Sequence, residues 1–166
     1  MDVVSPATRS RMMAGIRARN TRPEMLVRRL LFASGFRFRL HRRDLPGAPD
    51  IVLPKHRLAV FVHGCFWHQH EGCPLTKMPG SNRDFWKEKL GRNQRRDREN
   101  VDKLVAAGWC VLVVWECATR LAPLATTLER DLVAAVRAAD ASAVLPRQPL
   151  QTSSICTISR SARLSC

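Results

Sequence analysis

Hydrophobic residues along the chain occur as short continuous runs and as longer amphipathic stretches. Residues 58–62 and 110–115 are almost wholly apolar and partly β-branched, a pattern typical of buried strands. Residues 37–40 alternate basic and apolar side chains, and residues 50–53 form an apolar run that opens with a carboxylate. These patterns predict four strands. A tight connection at residues 54–57 further predicts a hairpin between the second and third of them.

The amphipathic stretches predict helices between and around these strands. Thr21 and Glu24 have the Thr-x-x-Glu spacing of a capping box, with Pro23 in the first turn, so a helix is predicted to run from there to Gly35. Its apolar face is predicted to comprise Met25, Leu26, Leu30 and Phe32. Residues 83–90 and 92–107 predict two more helices interrupted by Gly91, and a last helix is predicted from Pro123.

This order of elements predicts one α/β domain, a mixed central sheet with helices on both faces. The length of 166 residues suits a single domain with its own core. We assign residues 20–146 to this domain and expect residues 147–166, which are polar without a period, to form a disordered tail. Residues 8–19 form a basic, helix-compatible stretch that either packs on the core or contacts phosphates, and its arginine density favours an arm over residues 1–19.

The charge of the chain narrows the choice of partner. Lysine and arginine number 28 against 14 acidic residues, a formal net charge of +14, which favours a polyanion such as nucleic acid. No run is long enough for a membrane span or a signal peptide, so we expect a cytoplasmic protein with no membrane partner. In that compartment the six cysteines are expected to be metal ligands or core thiols rather than disulfides.

Metal-capable side chains concentrate in residues 61–73, at the end of a predicted core strand. Cys65, His70 and Cys73 have the spacing C-x4-H-x2-C, and Cys117 at the end of the last buried strand is the best candidate for a fourth ligand. A closed set of three thiolates and one imidazole is typical of structural zinc. The alternative is that these residues are buried thiols and a polar loop histidine.

A second set of residues suggests a hard-metal centre. The predicted hairpin brings Asp50, at the start of one strand, close to His63, at the end of its neighbour, and His68 follows in the same loop. A carboxylate suits Mg²⁺, and a histidine beside the metal can orient or deprotonate water. Glu24 could join as an outer carboxylate, although capping already accounts for it. Each residue also has an ordinary interpretation, as a strand-edge charge or a satisfied polar group.

Large aromatic residues lie beside these candidates. Phe66 and Trp67 follow Cys65 directly, and Trp86 lies on the predicted helix at residues 83–90. They either form the small core of the loop or act as a wedge that enters a base stack.

Several motifs, in order over roughly residues 5–140, resemble the very short patch repair DNA mismatch endonucleases (the Vsr family). The motifs are Ala7-Thr8-Arg9-Ser10, Leu45-Pro46-Gly47-x-Pro49-Asp50, His63-Gly64-Cys65-Phe66-Trp67-His68, Phe85-Trp86, Asn93, Arg96-Asp97-Arg98 and Val114-Trp115-Glu116-Cys117. The resemblance implies a restriction-endonuclease-like, three-layer α/β/α fold with a structural zinc site. It also implies a Mg²⁺-dependent nick on the 5′ side of a thymine mispaired with guanine, the product of 5-methylcytosine deamination.

The resemblance also implies roles by position. Asp50 matches the Mg²⁺-binding aspartate, with the backbone carbonyl of Val62 as a further ligand, and His68 matches the catalytic histidine. His63 and Glu24 match the supporting residues, and the zinc ligands are matched by Cys65, His70, Cys73 and Cys117. The aromatics that insert beside the mismatch are matched by Phe66, Trp67 and Trp86. The arm that enters the opposite groove carries Met13 and Ile16. The implied partners are T:G duplex DNA, bound by a monomer, with mismatch-repair factors and a repair polymerase acting downstream.

This sequence departs from the restriction-type pattern at one point, since Phe61-x-His63 stands where a lysine-bearing E-x-K motif is usual. That favours a histidine-based mechanism. Two other functions remain open from sequence: a restriction-type endonuclease that cuts both strands, and a zinc-stabilised DNA-binding module without catalysis.

Overall fold

The computed structural model describes Thr8 and residues 19–120, 122–144 and 155–158. From residue 19 onward, the described part of the chain contains the helices α1 (Arg22–Ala33), α2 (Arg83–Ala106), α3 (Glu116–Thr119) and α4 (Ala122–Val144). The strands are β1 (Arg39–Leu40), β2 (Ile51–Leu53), β3 (Leu58–His63), β4 (Cys110–Trp115) and β5 (Ile155–Ile158). Short 3-10 helices lie at Pro54–His56 and Pro74–Thr76.

The five strands form one mixed sheet in the order β1-β2-β3-β4-β5. β1, β2 and β3 pair antiparallel, while β3, β4 and β5 pair parallel. The predicted hairpin between β2 and β3 is confirmed, with Ile51 opposite Val60. Its connection is a 3-10 turn followed by Arg57 in the left-handed region, at φ 45°.

Side chains on the two faces of the sheet belong to two separate hydrophobic clusters. On one face Leu58, Val60, Leu112 and Val114 pack with α1 and α4. On the other face Ala59, Phe61, Val111 and Val113 pack with Leu104 of α2. Neighbouring residues of a strand point to opposite faces, and both faces of this sheet are covered by helices. β3 and β4 therefore appear in the sequence as continuous apolar runs. The predicted three-layer arrangement, with helices on both faces of a mixed sheet, is confirmed.

The predicted cap at the start of α1 is confirmed, although the Glu24 carboxylate accepts from the backbone amide of Asn20 rather than from that of Thr21. Thr21 is the N-cap and its side chain accepts a hydrogen bond from the backbone amide of Glu24. The predicted apolar face is partly wrong, because Met25 and Phe32 are 38% and 59% exposed. The helix instead buries Val27 and Leu31, which lie four residues apart and face the sheet.

The predicted interruption at Gly91 is wrong, because α2 runs unbroken through 24 residues. A glycine inside a helix costs about 1 kcal/mol relative to alanine, and packing outweighs this cost here. Leu90 and Leu104 are fully buried on either side of it. Among the helices that the structure describes, none is both long and apolar enough to cross a membrane.

The prediction of a disordered tail over residues 147–166 is wrong for residues 155–158. These residues form β5, which pairs parallel with β4 from Val111↔Ile155 to Val114↔Ile158 and buries Ile158. The rest of that segment lies outside the described residues. So does nearly all of the predicted arm, including Met13 and Ile16.

The parallel pairing of β3 and β4 determines where the candidate site lies. Their carboxyl ends meet at one edge of the sheet, with His63 opposite Trp115. The loop rich in histidine and cysteine leaves β3 at this edge, and α3 with Cys117 begins where β4 ends. Both predicted metal sites therefore lie at the same edge of the sheet.

Candidate active site

A cavity of about 730 Å³ opens at this edge of the sheet. Its walls come from the start of α1, the turn before β2, the end of β3, the following loop and the middle of α2. The lining includes Glu24, Asp50, Val62, His63, His68 and Asp97. Four predicted active-site side chains, those of Glu24, Asp50, His63 and His68, thus lie on one cavity together with the backbone of Val62.

Asp50 is anchored to the end of β3. Its Oδ2 accepts a hydrogen bond of 2.8 Å from the backbone amide of Val62, twelve residues further along the chain. The pKa of Asp50 is raised to about 6, chiefly by burial and also by the charge of Glu24, while the Val62 amide, Arg28 and His68 oppose the shift. The carboxylate is therefore ionised near neutral pH and retains lone pairs for a cation.

The two histidines lie face to face. The rings of His63 and His68 are stacked with their centroids 3.8 Å apart and an angle of 6° between their planes. Burial and the neighbouring His68 lower the pKa of His63 to about 3, so its imidazole is neutral at physiological pH. A neutral ring beside His68 avoids the repulsion that two stacked imidazolium ions would experience.

His68 is held from its other side by Asp97 of α2. His68 Nδ1 lies 2.5 Å from Asp97 Oδ2, which fixes the plane of the ring. Burial alone would raise the pKa of Asp97, but the hydrogen bond to His68 and the charges of His68 and His63 lower it below its ordinary value. An ionised carboxylate on Nδ1 favours the tautomer with Nε2 free, so His68 can accept a proton at Nε2.

Sequence reasoning gave Asp97 no role, although the structure groups it with His63 and His68 in a cluster of possible metal ligands. Asp97 lies within a run of charged residues on α2, where most acidic side chains are solvated. Only the packing of α2 beneath the loop brings it to His68. Asp50, by contrast, contacts the end of β3 rather than this cluster.

Glu24 is almost fully buried, 3% exposed, at the wall of the cavity. Its Oε1 accepts from Thr21 Oγ1 at 2.9 Å, and its Oε2 accepts from the Asn20 amide at 2.9 Å and from Arg28 at 2.8 Å. The capping role that competed with a chemical role in the sequence is therefore real. Capping nevertheless places this carboxylate on the same cavity as Asp50.

The second predicted metal site is also brought together. One ligand atom from each of Cys65, His70, Cys73 and Cys117 lies within 4.8 Å of the others. His70 Nδ1 is 3.7 Å from Cys65 Sγ and 3.5 Å from Cys117 Sγ, and the His70 ring stacks on Trp115 at 4.2 Å. Burial raises the pKa of the Cys65 thiol, so these thiols need a cation to be stable as thiolates. The donor set fits a tetrahedral soft-metal site.

Glycines allow the chain to approach closely around both sites. A Cβ at Gly47, where φ is +73°, would lie 3.0 Å from the side chain of Asn100 on α2. A Cβ at Gly64 would lie 3.3 Å from the Trp67 ring. These contacts explain physically why the turn before Asp50 and the loop after His63 each contain glycine.

The aromatic residues form a cluster that meets the cavity through Trp67. Phe66, Trp67 and Trp86 pack edge to face or tilted, with ring centroids 5.1 to 6.1 Å apart. The ammonium of Lys89 lies 5.5 Å from the Trp67 ring and 5.4 Å from the Trp86 ring. All three rings are only partly buried, so they have a common core and also accessible surface.

Comparison with known proteins identifies the family. The family model described as DNA mismatch endonuclease Vsr matches residues 1–74. The DNA mismatch endonuclease Vsr of Escherichia coli (strain K12) is 46% identical over 119 residues, which cover 72% of this chain and 76% of that enzyme. The chain belongs to the Vsr family.

Two further Vsr-like relatives carry the name Type II nicking enzyme. V.XorIIP of Xanthomonas oryzae is 53% identical over 116 residues, covering 70% of this chain and 85% of the relative. V.NmeAIP of Neisseria meningitidis is 46% identical over 116 residues, covering 70% and 82%.

Membership of the Vsr family confirms three predictions. The fold is restriction-endonuclease-like, the chain is an endonuclease, and its partner is DNA. A non-catalytic DNA-binding module is therefore excluded. A requirement for metal follows from the kind of nuclease, and the histidine and cysteine cluster offers one possible metal site.

Proposed function

We propose that this Vsr-family enzyme nicks one DNA strand on the 5′ side of the thymine in a T:G mispair. The observation that carries this proposal is the convergence of Asp50 and the Asp97-anchored His68 on one cavity. The aromatic cluster, which meets that cavity through Trp67, and the net charge of +14 support a DNA duplex as substrate. The family name describes a mismatch endonuclease, and relatives are named nicking enzymes.

Asp50 and the backbone carbonyl of Val62 would hold Mg²⁺. The hydrogen bond between Asp50 and the Val62 amide places the carboxylate beside that residue's backbone. Oxygen donors suit this hard cation. When bound, Mg²⁺ would polarise the scissile phosphate and stabilise its developing charge.

His68 then acts on the attacking water. Asp97 occupies Nδ1, so Nε2 is free to accept a proton from water or to orient it. His63 is neutral and supports the His68 ring by stacking. Glu24, directed to the same cavity, assists as an outer carboxylate through water.

Cys65, His70, Cys73 and Cys117 would hold Zn²⁺ in a structural role. Four protein ligands leave no open position for substrate. The site lies within the loop that supplies His68 and the aromatic cluster. Zinc would therefore fix this loop to the end of β4.

The aromatic cluster would act as the mismatch wedge. Phe66, Trp67 and Trp86 present partly exposed rings beside the cavity, and inserting aromatics can unstack a weakened base step. Met13 and Ile16, which lie outside the described residues, would contact the opposite groove. This arrangement requires only one copy of the chain, so we propose a monomer.

A strand-resolved cleavage assay tests this function. Duplexes labelled on each strand, with T:G, T:A or C:G at the same position, are incubated with enzyme and Mg²⁺. We expect one cut, 5′ to the mispaired thymine, with the guanine strand intact. Cutting of both strands, or equal cutting of matched DNA, would instead favour a restriction-type endonuclease.

His68→Ala protein is expected to lose about 10²- to 10⁴-fold in nicking rate, the usual contribution of a general acid or base. Asp97→Asn should lose less, because His68 remains but its ring is held less firmly. Single-turnover rates on the T:G duplex measure both effects. His56→Ala, which removes a histidine paired with Asp140 away from the cavity, serves as the control and should retain activity.

Trp67→Ala protein is expected to lose discrimination rather than chemistry. Removing the ring takes away stacking worth about 1–3 kcal/mol per base, so the preference for T:G over T:A should fall about tenfold or more. Phe32→Ala, at an aromatic residue 59% exposed on α1, is the matched control. An unchanged preference would assign Trp67 to the core of the loop.

Nicking at subsaturating Mg²⁺ is expected to fall as pH drops below about 6. Burial raises the pKa of Asp50 to about 6, and the protonated carboxyl below that pH no longer binds the cation. Because protons and metal compete for one group, added Mg²⁺ should move the midpoint to lower pH. A midpoint that does not respond to Mg²⁺ would contradict the assignment.

A further inference from the structure

A buried arginine on α1 contacts Glu24, the active-site carboxylate on the same helix. Arg28 is 7% exposed and its Nη2 lies 2.8 Å from Glu24 Oε2, where Glu24 is 3% exposed. Burying two charges costs free energy unless they are paired and hydrogen-bonded. Arg28 has no part in the capping box itself, which needs only Thr21 and Glu24.

Arg28 has further contacts besides the one to Glu24. Its Nη1 donates to Asn20 Oδ1 at 2.6 Å, and its Nη2 also lies 3.0 Å from His41 Nε2. The backbone amide of His41 donates to the backbone carbonyl of Asp50 at 3.4 Å. Arg28 therefore links the start of α1, which carries Glu24, to the segment that leads into Asp50.

The charges explain why such a link is needed. Glu24 and Asp50 are two carboxylates on one cavity, and the charge of Glu24 raises the pKa of Asp50. Among the described residues, Arg28 is the only cation hydrogen-bonded to Glu24. Its guanidinium thus offsets the repulsion and also fixes the direction of the Glu24 carboxylate.

We propose that Arg28 is a positioning residue that fixes the direction of the Glu24 carboxylate at the wall of the cavity, so that Arg28 acts on strand cleavage through Glu24. This inference rests on the proposed function, because it assigns Glu24 to the hydrolytic step. The competing interpretation is a purely structural ion pair, which would stabilise α1 without affecting chemistry. The two differ in whether the effect of Arg28 depends on Glu24.

A double-mutant cycle separates these interpretations. Single-turnover nicking of the T:G duplex, at saturating enzyme and Mg²⁺, is measured for Arg28→Met, Glu24→Gln and the double variant. We expect Arg28→Met to lose about 10- to 100-fold in rate, as for loss of a hydrogen bond to a charged group. In protein that already carries Glu24→Gln, adding Arg28→Met should lower the nicking rate by less than about twofold. Arg28→Lys, which keeps the charge, should recover part of the loss.

Readouts that do not depend on turnover complete the test. The affinity of every variant for DNA, measured in Ca²⁺, should stay within about twofold of the wild-type value. The affinity of the protein–DNA complex for Mn²⁺, measured by electron paramagnetic resonance, should weaken equally in Arg28→Met and Glu24→Gln. Arg29→Met, at the exposed neighbour on the same helix, should match the wild type. Thermal melting of each variant identifies losses caused by unfolding.

The outcomes are distinct. If the wild type nicks the T:G duplex and Arg28→Met is equally harmful with and without Glu24, or harmless in both, the positioning role is overturned while the proposed function stands. The positioning role is also overturned if the rate loss disappears when the assay is run below the melting transition of the variant, because the loss then comes from unfolding. If the wild type fails to nick any T:G duplex, the proposed function fails, and the role of Arg28 in cleavage fails with it.

Discussion

Asp50→Ala protein is expected to bind a T:G duplex normally and to lose nearly all nicking activity. The proposed Mg²⁺ site has one side-chain ligand, and a catalytic metal supplies several kcal/mol of transition-state stabilisation, so the expected loss is about 10³-fold or more. Asp50→Asn should be equally inactive, because the amide keeps the shape but lacks the charge. The measurement is single-turnover nicking in Mg²⁺.

Binding and folding controls make this result specific. Asp50 also accepts a hydrogen bond from the Val62 amide, so its removal could disturb the end of β3. Asp50→Asn can still accept that hydrogen bond through its side-chain carbonyl and therefore separates metal binding from structure. Asp44→Asn, at an exposed carboxylate paired with Arg42, is the matched control and should nick normally. Full activity of Asp50→Ala would contradict the proposed site.

Cys117→Ser protein, or protein stripped with a strong chelator, is expected to lose the proposed structural zinc and much of its stability. Structural zinc contributes a large binding free energy to folding, and three ligands hold it far less tightly than four. The remaining core can still fold, so we expect melting to fall by about 10 °C rather than complete unfolding. Elemental analysis and thermal melting measure the two effects.

The consequences for activity follow from the position of Cys117. It joins the end of β4 to the loop that carries His68 and the aromatic cluster, so loss of the metal should loosen that loop and reduce nicking. Cys110→Ser, at a cysteine outside the cluster at the start of β4, should retain one zinc per chain. Washed wild-type protein with no bound zinc would remove the structural zinc assignment.

Much of the fold could be predicted because its signals are local. The capping box at Thr21 and the apolar runs of β3 and β4 fix their elements through short-range patterns, and the hairpin follows from a tight connection. The predictions that failed concern features that depend on tertiary packing. Gly91 looks like a break, but packing on both sides of it keeps α2 continuous. β5 is four residues in a polar stretch, and it forms a strand by pairing along the free edge of β4.

In the candidate site, too, the local signals could be predicted and the tertiary contacts could not. Residues 61–73 contain two metal-capable sets in one segment, and the structure separates them, with His68 directed to Asp97 and His70 directed to Cys65 and Cys117. The sequence alone could least decide which set each histidine belongs to, because His68 and His70 lie only two residues apart. Asp97 is part of the Arg96-Asp97-Arg98 motif of the family resemblance, but nothing in the sequence gave it a role, and no pattern singled out Arg28. Both are ordinary helix charges in the sequence, and only packing brings Asp97 to His68 and Arg28 to the buried carboxylate of Glu24.

The most direct test of the central claim is the single-turnover rate on two duplexes that differ only at one base. One carries thymine and the other 5-methylcytosine, each opposite the same guanine, and each strand is labelled separately. We predict a cut only 5′ to the thymine, faster on the mispaired duplex by about 10²-fold or more, and absent in Asp50→Asn protein. Equal rates on the two duplexes, or cleavage of the guanine strand, would contradict a mismatch-specific nicking enzyme.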